Sequence, residues 1–163
     1  KSRADCYCVP GSGDPEGIFP DRVFAPAAKK EFLGGLDFLI LSVPLTPGNR
    51  GMIGRAELAM LPPHAFILNP ARGPLIEEQP LIEALRQRSI AGAALDTHYY
   101  YPLPPGHPLW EMDNVILTPH ISGSSGSTRV LERIWEIWVE NVRRRISGRP
   151  LLNELSPAQL DGK

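Results

Sequence analysis

The chain has 163 residues, 42% apolar and 21% charged, enough for one domain that buries its own core without disulfides or metals. Its 15 glycines and 18 prolines stay below the roughly 25% joint share at which disorder becomes the leading class, so disordered, collagen-like and disulfide-stapled chains are excluded. With 17 Lys and Arg against 18 Asp and Glu, the net charge of -1 argues against holding nucleic acid or anionic lipid by bulk electrostatics, and a small-molecule partner is expected.

The chain opens on Lys1 rather than Met, as expected of part of a longer protein. Cys6 and Cys8 are read as reduced thiols on one face of a strand, because two thiols cannot alone supply the four ligands of a structural zinc site; no metal is expected. The longest strongly apolar run, Leu36 to Leu45 interrupted by Asp37, is about half of the ~20 residues a bilayer-spanning helix takes, and no charged-then-apolar leader opens the chain. A cytoplasmic protein with no membrane and no nucleic-acid partner is therefore expected.

Short apolar clusters bounded by turn residues predict strands at Cys6 to Val9, Arg22 to Phe24, Asp37 to Val43, Ala65 to Asn69, Ala91 to Asp96 and Val115 to Thr118. Most are too apolar for a solvated face, and helix-period stretches lie between them, which predicts an α/β fold with a parallel sheet covered on both sides. Glu77 and Glu78 precede Leu81, Ile82 and Leu85, with Arg86 and Arg88 closing the segment: the charge order a helix dipole favours. Pro80 in the first turn costs no hydrogen bond there. The proline-rich segment Tyr99 to Pro108 predicts a rigid loop leaving the fifth strand. After Ser124 and Ser125, Leu131, Ile134, Trp135, Trp138, Val142 and Ile146 recur at three and four, and Gly148 and Pro150 end the pattern. This helix is expected to pack its apolar stripe on the core or against a neighbouring domain, with an exposed partner surface at the two tryptophans as the alternative.

In an open parallel sheet, ligands bind beyond the carboxyl ends of the strands. There the sequence sets Val43-Pro44, Ala71-Arg72-Gly73, Asp96 and Thr118-Pro119-His120. A guanidinium holds a planar carboxylate through two parallel N–H bonds, and an imidazole exchanges a proton near neutral pH, so Arg72 and His120 are the candidate chemical groups. For His64, His98 and His107 a solvated or structural role is expected.

The ordered set Val43-Pro44-Leu45-Thr46-Pro47, Ala71-Arg72-Gly73, Ala91-Gly92-Ala93-Ala94-Leu95-Asp96, His107-Pro108-Leu109-Trp110 and Thr118-Pro119-His120-Ile121 resembles the nucleotide-binding domain of the D-isomer-specific 2-hydroxyacid dehydrogenases. The resemblance implies a doubly wound parallel sheet of Rossmann type. It is incomplete, since the first strand and its glycine-rich turn should lie upstream of Cys6. Residues 1–150 would be a partial dinucleotide-binding domain, and Leu151 to Lys163 a tail returning towards a substrate domain. It implies NAD or NADP as cofactor, a small 2-keto or 2-hydroxy acid as substrate, and a homodimer at full length. Arg72 would anchor the substrate carboxylate and His120 would be the acid/base. Val43, Pro44, Ala71, Arg72, Asp96, His120 and Gly123 would line the cofactor cleft, with Asp96 at the nicotinamide carboxamide.

Two departures bear on these roles. The family's carboxylate partner of the histidine, five residues after the aspartate, is here Tyr101, a phenol that can orient an imidazole but cannot stabilise its charged form as an anion does. Related formate dehydrogenases use a neutral glutamine there, so hydride transfer is still expected. The acid that would bind the ribose aligns with Pro10, with Asp14 nearby, and Gly11-Ser12-Gly13 has no further glycine three residues on to complete a phosphate-binding turn. Taken alone, the 163 residues are expected to have little or no activity. The alternative reading is a non-catalytic NAD(H)-sensing or scaffold protein on the same fold, as in the C-terminal-binding co-repressors, with the Tyr99-Tyr100-Tyr101 loop and the tryptophans as partner surface.

Overall fold

A computed structural model describes residues 7, 9, 11–14, 16–123 and 128–157. The chain divides into two compact units, residues 24–123 and residues 1–23 with 124–163.

In the first unit, four parallel strands, β1 (Phe38–Ile40), β2 (Phe66–Asn69), β3 (Gly92–Leu95) and β4 (Val115–Leu117), pair in sequence order. Register is continuous: Leu39 opposite Ile67, Ile67 opposite Ala93, Ala94 opposite Ile116. Each strand lies inside the segment expected for it and is shorter. The crossovers carry α2 (Arg55–Leu58) and α3 (Glu78–Arg86), and α1 (Lys29–Leu33) precede β1. Alternate residues Leu39, Leu41, Ile67, Ala93 and Leu95 meet Leu58, Leu81, Ile82 and Leu85 in one core, as a period of two requires. Gly92 is needed for close packing: a Cβ there would collide with the Asn114 carbonyl oxygen and the Phe66 ring.

Three expectations fail. Arg22 to Phe24 form no strand: the segment sits between Pro20 and Pro26, which offer no amide to a ladder, and Val23 is 87% exposed. Phe24 instead packs its ring on Phe32, 5.5 Å away. Of Cys6 to Val9, both cysteines lie outside the described residues, and Tyr7 and Val9 are not in a strand. Among the described residues of this unit, helices cover the sheet on one face only. Phe38 (61% exposed), Ile40, Phe66 and Ile116 point away from α2 and α3, because strands joined in sequence order with one crossover hand place those helices on one side.

In the second unit, α4 spans Thr128–Ile146 and ends as expected, with Gly148 at φ +67°. Asn141 ties Leu152 back by two hydrogen bonds, and Glu140 holds Arg144 and Arg149. The burial expected of the apolar stripe is not seen: no described α4 residue is buried, and Trp135 and Trp138 are 61% and 58% exposed, edge to face at 5.6 Å. Helical period fixes which residues share a face, but not whether that face is buried.

Candidate active site at the carboxyl ends of the strands

Each strand of the first unit runs into a loop held by one short polar side chain. After β1, Asn49 accepts from the Thr46 amide (2.7 Å) and donates to the Pro44 carbonyl (2.8 Å). After β2, the Asn69 Oδ1 accepts from the Ala71 and Arg72 amides and its Nδ2 donates to the Arg72 carbonyl, an Asx turn that turns the Arg72 side chain out. Ser42, Val43, Pro44, Leu45, Pro70, Ala71 and Arg72 line a cleft of about 600 Å³, within the usual range for small-molecule sites. The Arg72 guanidinium is exposed, donates to the Ala71 carbonyl (2.6 Å), and faces no carboxylate among the described residues.

After β3 and β4 the loops interlock. The Asp96 carboxylate is 5% exposed and accepts four bonds: from Thr118 Oγ1 (2.5 Å) and the Ile121 amide (2.8 Å) on Oδ1, and from the Ser122 amide (2.9 Å) and Oγ (2.6 Å) on Oδ2. Burial disfavours its charge, and the donors of Ser122, Thr118 and Ile121 outweigh burial, holding Asp96 well below the ordinary carboxylate range. These four donors flank His120, whose φ of +59° is in the left-handed region that side chains seldom enter. The Tyr101 hydroxyl lies 3.2 Å from His120 Nδ1, with ring centroids 5.7 Å apart. The Arg72 loop presses on the same segment: a Cβ at Gly73 would stand 2.5 Å from the His98 carbonyl carbon and oxygen, so the turn after β2 closes only with glycine there.

Val43, Pro44, Ala71 and Arg72 thus line one cleft, Tyr101 and His120 are joined by a hydrogen bond, and Asp96 holds the loop on both sides of His120 through Thr118, Ile121 and Ser122. Gly123 is exposed at the end of the His120 loop and outside the cleft lining. Asp96, expected at a cofactor carboxamide, spends its lone pairs on the loop that carries His120. Asp14 accepts from the Ile18 and Phe19 amides and so closes its own turn. His64 is exposed beside Asp37, and His107 Nδ1 accepts from the Leu109 amide while Nε2 meets Glu78 at 2.8 Å, the solvated and structural settings expected. Sequence reading missed Asn49, Asn69, Ser122 and His98. The two asparagines carried a usable signal, a side-chain turn beside proline; Ser122 and His98 act over 26 and 20 residues, which local pattern does not reveal.

The residues present fit one end of a dinucleotide. The apolar wall of Val43, Pro44 and Leu45 suits the face of an aromatic ring, whereas the turn of Gly11, Gly13 and Gly17 opens no helix, and no glycine-rich turn among the described residues leads into a helix N-terminus that could seat a pyrophosphate.

The parallel half-sheet with its site on the carboxyl edge is that of a Rossmann-like dinucleotide-binding domain. Residues 9–122 match the family described as D-isomer specific 2-hydroxyacid dehydrogenase, NAD binding domain, and the chain belongs to that family. A glyoxylate reductase of Thermofilum pendens is 34% identical over 93% of this chain and 42% of its own length. A D-isomer specific 2-hydroxyacid dehydrogenase from Xanthobacter autotrophicus Py2, crystallised with NADPH and MES, superposes with a TM-score of 0.75 at 42% identity, over 82% of this chain and 42% of that one. The NADPH-dependent glyoxylate/hydroxypyruvate reductase of Sinorhizobium meliloti, solved with NADP and sulfate, gives 0.74 at 29% identity, over 86% and 44%. The chain spans less than half the length of the curated relatives it matches. No helix among the described residues is long and apolar enough to cross a membrane.

Proposed function

We propose that this chain is the acid/base and carboxylate-anchoring part of an NAD(P)-dependent reductase of small 2-keto acids, working with glyoxylate, hydroxypyruvate or a close relative. The observation that carries the reading is the pairing of His120 with Tyr101 on one strand-end loop system while Arg72, facing no carboxylate among the described residues, stands beside an open cleft on the next.

Val43, Pro44 and Ala71 would hold the nicotinamide, which when bound would supply the hydride. Arg72 holds the substrate carboxylate through a two-pronged pair and offsets its charge. Tyr101 occupies Nδ1 of His120, so Nε2 is the nitrogen left to give its proton to the carbonyl oxygen in reduction and to take it back in oxidation. In both states of this step Nδ1 keeps its proton and donates it to the hydroxyl oxygen, which fixes the tautomer that leaves Nε2 free to take the proton back. Gly123, at the end of the loop, would border the cofactor, and Asp96 contributes by holding that loop. In full length a homodimer is expected.

The test is steady-state oxidation of NADPH and NADH by the protein in its full natural length, with glyoxylate, hydroxypyruvate and pyruvate. His120→Asn should lower kcat by about a thousandfold with little change in KM, and Arg72→Lys should raise KM by about tenfold or more. Cofactor binding without turnover of any 2-keto acid would favour the sensing or scaffold alternative.

A further inference from the structure

We propose that His98, a residue outside the acid/base pair, is the positioning residue that sets the orientation of His120; the catalytic half of this inference rests on the function proposed above. His98 is 9% exposed, just past the end of β3. Its Nε2 lies 2.9 Å from the Thr118 carbonyl oxygen, which can only accept, so this nitrogen carries a proton and donates it. The same carbonyl accepts the His120 amide at 3.0 Å. One oxygen therefore joins the His98 ring to the backbone of His120, across the tight turn in which His120 takes its left-handed φ of +59°. Such a backbone persists only where its surroundings over-determine it, and His98 secures the turn before His120 as Asp96 secures the residues on both sides.

His98 also reaches the partner of the imidazole. Its backbone amide donates to the Tyr101 hydroxyl at 3.1 Å, and its ring centroid is 5.9 Å from that of Tyr101. This bond fills one of the two lone pairs of the phenol. The remaining lone pair and the hydroxyl proton are left for His120 Nδ1, 3.2 Å away. On its other side, the His98 carbonyl is the surface on which Gly73 closes beside Arg72. The residue thus touches the loop of His120, the partner of His120 and the turn of Arg72, while contributing no group that faces the cleft. Its side-chain share of this work is the bond to Thr118, which a glutamine amide can reproduce and a phenylalanine ring cannot.

The experiment compares His98→Phe and His98→Gln by two readouts. The first, on the chain labelled with 15N-histidine, follows the two ring nitrogens of His120 through a pH titration. The native chain and the Gln variant should show Nδ1 in a hydrogen bond, and the Phe variant should show the nitrogen chemical shifts of a ring that lacks it. The second is turnover at full length: kcat should fall by about tenfold or more in the Phe variant, with the KM for cofactor unchanged, and recover in the Gln variant. Native-like His120 resonances in the Phe variant, or a Gln variant as impaired as the Phe variant, would overturn the proposal. If native protein turns over no 2-keto acid, the functional reading fails while the resonances still decide whether His98 positions His120.

Discussion

Tyr101 stands where the resemblance implies a carboxylate, and its consequence is electrostatic. A phenol offers His120 a hydrogen bond without a negative charge, so Tyr101→Glu should favour the protonated ring and carry the reductive rate to higher pH, whereas Tyr101→Phe should leave the pH profile in place and lower kcat by about tenfold. A pH–rate profile of 2-keto acid reduction checks both, and an unmoved profile in the Glu variant would detach Tyr101 from the acid/base group. Asp96 carries a second pH effect. Its folded carboxyl is held below the ordinary value of 3.8, so the unfolded chain takes up the proton first. The stabilisation is complete above about pH 5 and is lost as pH falls towards the folded value. Asp96→Asn should cost about 2–3 kcal/mol at pH 7, since an amide cannot accept all four donors, and should flatten the acid limb; urea midpoints between pH 3 and 7 measure this. At Gly73 the obstacle is backbone rather than a flexible side chain, so Gly73→Ala should cost about 2 kcal/mol or more and raise the KM for 2-keto acid by displacing Arg72, read by thermal unfolding and steady-state kinetics.

At the scale of elements, α3 and α4 show what periodicity does and does not tell. Both are amphipathic by sequence, but Leu81 and Leu85 of α3 are at most 1% exposed, and Ile134 and Trp138 of α4 are more than half exposed. Leu81→Ala should therefore cost about 2–5 kcal/mol and Ile134→Ser less than about 0.5 kcal/mol, a contrast that chemical denaturation of the two variants resolves. The four strands were legible because each is an apolar run between turn residues, and the strand-end motifs were legible because glycine, proline and asparagine are demanded by backbone geometry. The segment Arg22 to Phe24 misled because β-branched and aromatic content says nothing about a ladder partner. Partners distant in sequence were equally hidden: the clasp of Asp96 on Ser122 and the bond from His98 to Thr118 exist only once β3 and β4 lie side by side.

For the whole molecule, the half-sheet brings His120, Tyr101 and Arg72 to one edge, with a cleft sized for a small ligand and no glycine-rich turn that opens a helix among the described residues. Fluorescence titration of the 163-residue chain with NADPH should accordingly show no saturation up to about 1 mM, equivalent to less than about 4 kcal/mol of binding. The fold class and the residues of the strand-end loops were readable from sequence because the family's motifs sit in order along the chain; the exposure of the second sheet face and of α4 was not, because it depends on surfaces beyond each motif. The claim on which the account turns is that hydride and proton reach one carbonyl here, and transfer from [4-2H]NADPH by the full-length protein tests it directly. The expected product of hydroxypyruvate or pyruvate is a D-2-hydroxy acid with one deuterium at C2, formed by native protein and lost with His120→Asn. Deuterium retained in the cofactor pool despite saturable binding, or incorporation undiminished in the His120 variant, would contradict it.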